Sequence, residues 1–253
     1  MTWRIEAHTL AVAETPGPEV FFQRAFGDWV EIAIHVFVLR SGDRTIVVDT
    51  GLIDGFEVLN ERMRARKGAR AGFRRLAGLE DVLDRSPDAV VLTSFGPYAA
   101  GGLPHLGEDV PVYVSSRGLD NLARSEEPAL IHALPNDVLR RLSISGPVRD
   151  ERTIFDGIRF VETGVHHPAS AAVVVDTEDG PVAIADPVFV RANLVEGIAL
   201  GAAEHAAGWF ALVRRLAAAC RGMIAIHDPD PVPVPVAAWH PSLRPQGEIS
   251  AAC

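Results

Sequence analysis

Only two cysteines occur in the 253 residues, Cys220 and Cys253, one closing a helical stretch and one at the last position. That scarcity excludes a disulfide framework and a thiolate metal cluster, so both are read as structural or incidental. No apolar run approaches the roughly 20 residues needed to span a bilayer. The opening MTWRIEAHTL lacks a basic segment followed by a long apolar one, so no targeting signal is read there and a cytoplasmic location is expected. Also missing is any stripe of Lys and Arg with interleaved aromatics, and the net charge of -9 would repel nucleic acid and anionic membranes. The Arg-rich ERMRARKGARAGFRRL reads as the solvated face of a helix. Small molecules are the partners these absences leave, and nothing in the sequence sets an oligomeric state.

With 48% hydrophobic and 23% charged residues, the chain can bury a large core as one α/β domain over 1–253. No low-complexity linker interrupts it before 239–253, where Pro241, Pro245 and Gly247 predict a loose tail. Alternating apolar residues predict strands over WVEIAIHVFVLRSG and RTIVVDT, joined at Ser41-Gly42-Asp43 as a hairpin. A helix is expected over most of Gly55 to Leu83. Buried strands follow at DAVVLTS and VPVYVSS, with helical pieces around Gly118 to Leu142. Three further strands, IRFVETG, AAVVVDTEDG and PVAIADPVF, precede a helix from about Ala202 to Ala219 and a last strand, GMIAIHD. Strands, helix and strands, twice over, point to an αββα sandwich of two similar halves.

Five strand-to-loop junctions carry chemistry. IVVDTGL ends a strand on Asp49, either a loop-orienting carboxylate or an ordinary turn aspartate. VVLTSFGPYAAGGLP, Val90 to Pro104, is a strand and a glycine-containing loop. FVETGVHHPASAAVVVD, VAIADPVF and MIAIHDP supply His166, His167, Asp186 and His227. In this order the five junctions, from about Val30 to Pro229, resemble the metallo-β-lactamase fold superfamily, and within it the N-acyl homoserine lactonase group.

The resemblance implies metal ligands on loops at the carboxyl ends of successive strands. At the second junction the family's THxHxDHxGGLP frame survives without its ligands: Ser94, Gly96, Tyr98 and Ala99 stand at the four ligand positions, and His105 is too far along to substitute. Glycine, alanine, and neutral serine or tyrosine are not normal zinc donors. His166 falls on a ligand histidine, with Pro168 and Ser170 in register, His167 is its neighbour, Asp186 matches the bridging aspartate and His227 a late histidine. Phe189 replaces the family tyrosine that contacts the lactone.

Three ligands cannot build a dinuclear site, so no metal is expected. The alternative is a single Zn, Fe or Mn ion on His166, Asp186 and His227. Without metal, a histidine paired with a buried aspartate still serves as a general base or acid near neutral pH. Tyr98 can donate to a developing oxyanion and Ser94 can hold a carbonyl, while Phe95, His167 and Phe189 are expected to contact substrate. Ser94 is unattractive as a nucleophile, because no Gly-x-Ser-x-Gly elbow surrounds it and SFGP offers no adjacent base.

The expected function is a hydrolase-like enzyme of lactonase or thioesterase type acting on a small molecule. Two alternatives stand beside it: a non-hydrolytic isomerase, cyclase or lyase using the His/Asp/Tyr pocket, and a non-catalytic small-molecule-binding protein. The last is favoured if Phe95, Tyr98 and Phe189 fill the pocket. His35 reads as a satisfied core or edge histidine. His8, His132, His205 and His240 carry no role, and Gly101-Gly102 is a loop requirement.

Overall fold

The computed structural model describes residues 1–123 and 134–245. The chain opens with strand β1 (Arg4–Pro16), a single turn α1 (Gly17–Val20), and the hairpin of β2 (Trp29–Ser41) and β3 (Arg44–Val48). The hairpin forms as its alternation predicts, with Gly42 taking the positive φ of 55° that its turn requires. Next come α2 (Phe56–Lys67), β4 (Gly72–Arg75), β5 (Ala89–Val91), β6 (Val112–Ser115), α3 (Ser116–Ala123), α4 (Asn136–Ser143) and β7 (Gly146–Val148). The second half holds β8 (Glu151–Phe155), β9 (Ile158–Glu162), β10 (Ala171–Thr177), β11 (Gly180–Ala185), α5 (Arg191–Val195), α6 (Ala206–Ala219), β12 (Gly222–Ala225) and β13 (Val234–Pro235).

Two sheets result, ordered β4-β1-β2-β3-β5-β6-β7 and β13-β12-β11-β10-β9-β8. The run β3-β5-β6-β7 is parallel, as is the pair β11-β12, while the other neighbours are antiparallel. Side chains of both sheets enter one continuous apolar cluster, including Phe37, Leu39, Val90 and Val91 from the first and Phe160, Val173, Ile184 and Ile224 from the second. Burial of such area is the main term holding the sheets together. No helix among the described residues is long and apolar enough to cross a membrane.

Three departures from the sequence reading have physical causes. The helix expected over Gly55–Leu83 stops at Lys67, because Gly68 (φ 114°) and Gly72 (φ 151°) take backbone conformations that end it. The chain then turns back as β4, pairing Ala11–Glu14 of β1 with Gly72–Arg75. β1 itself was not predicted: only four of its 13 residues are buried, so its alternation is blurred. The expected tail is packed at its start, with Trp239 and Leu243 fully buried and Trp239 Nε1 donating to the Val234 carbonyl (2.9 Å). The rest of that tail, including Gly247 and Cys253, lies outside the described residues, as do His132 and the middle of the helical stretch between α3 and α4.

The topology gathers the five junctions. Asp49 follows β3, Thr93 and Ser94 follow β5, Asp186 follows β11 and His227 follows β12, so four carboxyl strand ends of the two sheets meet. His166 and His167 enter from the β9–β10 loop. Backbone bonds lock the junctions together: Asp49 N–H donates to the Val91 carbonyl (2.9 Å), Ala171 N–H to Thr93 (2.8 Å) and Ala33 N–H to His227 (2.9 Å). The glycines of the AAGGLP loop are dictated by contact. A Cβ on Gly101 would overlap the Ile53 nitrogen and the Leu52 carbonyl carbon. Gly101→Ala is therefore expected to lower the unfolding free energy by about 1–3 kcal/mol. An unchanged urea midpoint would show that the loop is not packed this way.

Candidate functional site

Asp49 is the keystone of the loop. It sits in the left-handed region (φ 60°), which aspartate tolerates better than most residues. Its Oδ1 accepts from Thr93 N–H (2.8 Å) and its Oδ2 from the Thr93 hydroxyl (2.6 Å), fixing the residue before Ser94. Burial pushes the Asp49 carboxyl up to about 7, against the Thr93 bonds and with help from the Asp186 charge.

Ser94 is 1% exposed, and its Oγ lies 2.9 Å from His167 Nε2. The base that the sequence around SFGP does not offer is thus supplied from 73 residues away. The proton order nevertheless argues against a nucleophile. Ala169 N–H donates to His167 Nδ1 (3.2 Å), so that nitrogen carries the lone pair and the proton sits on Nε2. His167 therefore donates to Ser94 Oγ, as does Gly96 N–H (3.0 Å), and no lone pair is left at Nε2 to take the serine proton. Burial, and then the neighbouring His166, hold His167 down at about 4, with Asp186 opposing.

His166 and Asp186 form the second unit. Oδ2 of Asp186 lies 3.0 Å from His166 Nδ1 and also accepts from the Ser170 hydroxyl, all three side chains being buried. Burial raises Asp186, but the charge and hydrogen bond of His166, with His167 and Ser170, outweigh it and leave the carboxyl below its ordinary value. An ionised carboxylate only accepts, so His166 carries its proton on Nδ1 and its lone pair on Nε2. The other carboxylate oxygen, Asp186 Oδ1, is buried without a partner.

His227 is set differently. Its Nδ1 donates to the Ala33 carbonyl (2.9 Å), again leaving the lone pair on Nε2. Burial lowers its pKa to about 4 against the Ala33 bond. Phe189 packs edge-on against both His166 (5.1 Å between centroids) and His227 (4.7 Å). Tyr98 meets His227 edge-on from a third direction (5.3 Å). The Tyr98 ring is half-buried overall, but its hydroxyl end lies deep, and burial followed by the Asp186 charge raises its pKa, keeping it protonated.

Most of the sequence-predicted residues therefore converge: Ser94, Tyr98, His166, His167, Asp186, Phe189 and His227. Phe95 does not join them. It is fully buried and faces Gly118, whose added Cβ would lie 2.8 Å from the Phe95 ring. His105 pairs at the surface with Asp54 (2.8 Å), away from the cluster. His35 is held by Thr9 and the Asp228 carbonyl, a satisfied core histidine. Thr93 and Ala33 were missed, one being a plain strand-end residue and the other acting through its backbone carbonyl. The seven are packed against one another among the described residues and line neither of the two best-formed cavities. The six other than Tyr98 are at most 7% exposed, and a cavity of about 1010 Å³ lies at the other ends of the strands, between the β2–β3 and β10–β11 turns.

One group of potential metal donors converges among the described residues, His166, His167 and Asp186, with ligand atoms within 4.8 Å of one another. It is not the set of His166, Asp186 and His227 expected for a single ion. As hydrogen-bonded in this structure, His167 is the member of the group that offers no lone pair to an ion. Ala169 N–H occupies the lone pair of His167, whose other nitrogen is protonated, while His166 donates from Nδ1 to Asp186 and keeps its lone pair on Nε2. A ligand nitrogen must be bare.

The αββα sandwich, with its functional loops at carboxyl strand ends, is the metallo-β-lactamase fold. Among solved structures it is similar to a B. thuringiensis AiiA variant with N-decanoyl-L-homoserine bound at the active site (TM-score 0.71, 14% identity, covering 92% of this chain and 100% of that one). It is also similar to an N-acyl homoserine lactone hydrolase with its product N-hexanoyl-L-homoserine at the catalytic metal center (0.68, 15%, 92% and 100%). A third is the hydrolase AbOPH of the beta-lactamase superfamily (0.60, 15%, 92% and 89%). No family model and no curated protein matches the chain. At these identities the likeness carries the fold.

Proposed function

We propose that this chain is a hydrolase-like enzyme acting on a small molecule by acid–base chemistry, in a site where hydrogen bonds replace the metal centre. The observation that carries the reading is the His166–Asp186 pair. The carboxylate and Ser170 fix the imidazole in one tautomer, so its unbonded Nε2 can take a proton from a water or a substrate. Asp186 stabilises the imidazolium that results. The free Asp186 Oδ1 offers an acceptor for a ligand N–H or O–H, a group whose burial otherwise costs about 1–3 kcal/mol. Tyr98 and Phe189 cover the imidazoles, so substrate enters when one of these rings turns aside.

The test uses untagged protein and a panel of esters, thioesters and lactones, with metal measured by inductively coupled plasma mass spectrometry. Turnover should survive chelation and fall by about 10²- to 10⁴-fold in His166→Gln. A stoichiometric metal that turnover follows would overturn the reading. The same burial favours a second one, a non-catalytic small-molecule-binding protein. Native mass spectrometry finding a retained ligand, with no turnover across the panel, would select it.

A further inference from the structure

The hydrogen bonds around Ser94 order the protons of the site more fully than catalysis by His166 alone requires. A hydroxyl oxygen has two lone pairs and one proton. Both lone pairs of Ser94 Oγ are taken, one by Gly96 N–H (3.0 Å) and one by His167 Nε2–H (2.9 Å). The direction of the second bond is set by Ala169 N–H, which occupies His167 Nδ1 (3.2 Å). The serine proton must therefore point away from both donors. Tyr98 is the hydroxyl folded over this turn: a Cβ on Gly96 would meet its Cζ at 2.6 Å. Ser94 is the side-chain hydrogen-bond partner of Tyr98, and with both of its lone pairs taken it can only donate to the phenol oxygen, so the phenol's own proton has no acceptor among the described residues.

We propose that the site takes a small molecule through an oxygen acceptor, a carbonyl or oxyanion held by the Tyr98 hydroxyl, and that His167 is the positioning residue that reserves this proton by way of Ser94. This rests on the acid–base reading of the same cluster and adds the ligand class to it. The rest of the cluster is complementary: His166 Nε2, His227 Nε2 and Asp186 Oδ1 offer only acceptors, so Tyr98 is the member left to donate to a ligand oxygen. Negative charge growing on that oxygen strengthens the Tyr98 bond as His166 withdraws a proton elsewhere on the ligand or from water.

Two measurements on the full-length protein test it. Long-range ¹H–¹⁵N NMR of the imidazoles at neutral pH should show His167 as the Nε2–H tautomer, opposite to His166 and His227. His167 as the Nδ1–H tautomer or doubly protonated overturns the proposal while leaving the His166–Asp186 reading intact. An Nε2–H tautomer at His166 sinks that reading instead. The second measurement titrates 4-nitrophenolate, followed by its absorbance, as an oxyanion probe. Binding should weaken by about tenfold to a hundredfold in Tyr98→Phe. It should weaken by several-fold in His167→Leu and recover in His167→Gln, whose amide can accept from Ala169 and donate to Ser94. Absence of binding to the unaltered protein, or binding indifferent to Tyr98→Phe, overturns the ligand class.

Discussion

Asp186→Ala is expected to lower the unfolding free energy by about 3–5 kcal/mol in urea at pH 7, the range for breaking a buried charged pair from one side. The carboxylate is 0% exposed, and it serves two buried donors at once, His166 Nδ1–H and the Ser170 hydroxyl. Truncation strands both donors and opens a void beside His166. Asp186→Asn should cost less, since its amide oxygen can still accept from one of the two. It should be no better for turnover, because its amide N–H cannot stabilise an imidazolium. The orphan Oδ1 makes the measurement decisive. If desolvating this carboxylate outweighed its two bonds, the alanine variant would lose less than about 1 kcal/mol, and the dyad would be a relic and not a supported catalytic unit.

The fold was legible wherever burial wrote a long apolar run. Val36–Leu39, Ile46–Val48, Val90–Leu92, Val173–Val175 and Ile184–Ala185 are buried on both faces and stand out without periodic analysis. Half-buried or edge strands were illegible: β1, β4, β7, β8 and β13 bury too few residues for alternation to rise above composition. Site membership was legible from the order of junctions, because each lies at a strand end that the parallel segments bring to one rim. The wiring was not. Ser94 and His167 are 73 residues apart, and the tautomer that decides their roles depends on a backbone N–H at Ala169. The double histidine before Pro168 was the available signal, since it brings two imidazoles to one junction beside Asp186.

Between pH 7 and 5, the unaltered protein should lose roughly 2 kcal/mol of stability, and Asp49→Asn roughly 4, by urea unfolding at each pH. His167 and His227 fall from an ordinary 6.5 to about 4 on folding, so the unfolded chain binds their protons first as acid is added. The stability they represent is present above pH 6.5 and lost as pH falls toward 4, each contributing a slope of up to about 1.4 kcal/mol per pH unit. Asp49 works the other way. Its folded pKa of about 7 stands above the ordinary 3.8, so the folded chain takes up that proton first, and the stability tied to it is full below pH 3.8 and lost as pH rises through 7. Across the shared window one proton at Asp49 cancels one of the two at the histidines. Asparagine keeps an oxygen for Thr93 N–H and removes the titration, so the variant should be the more stable protein at pH 7 and the more acid-sensitive one. Equal slopes for the two proteins would mean that Asp49 ionises normally, and that burial of the loop carboxylate is relieved by a group other than Thr93.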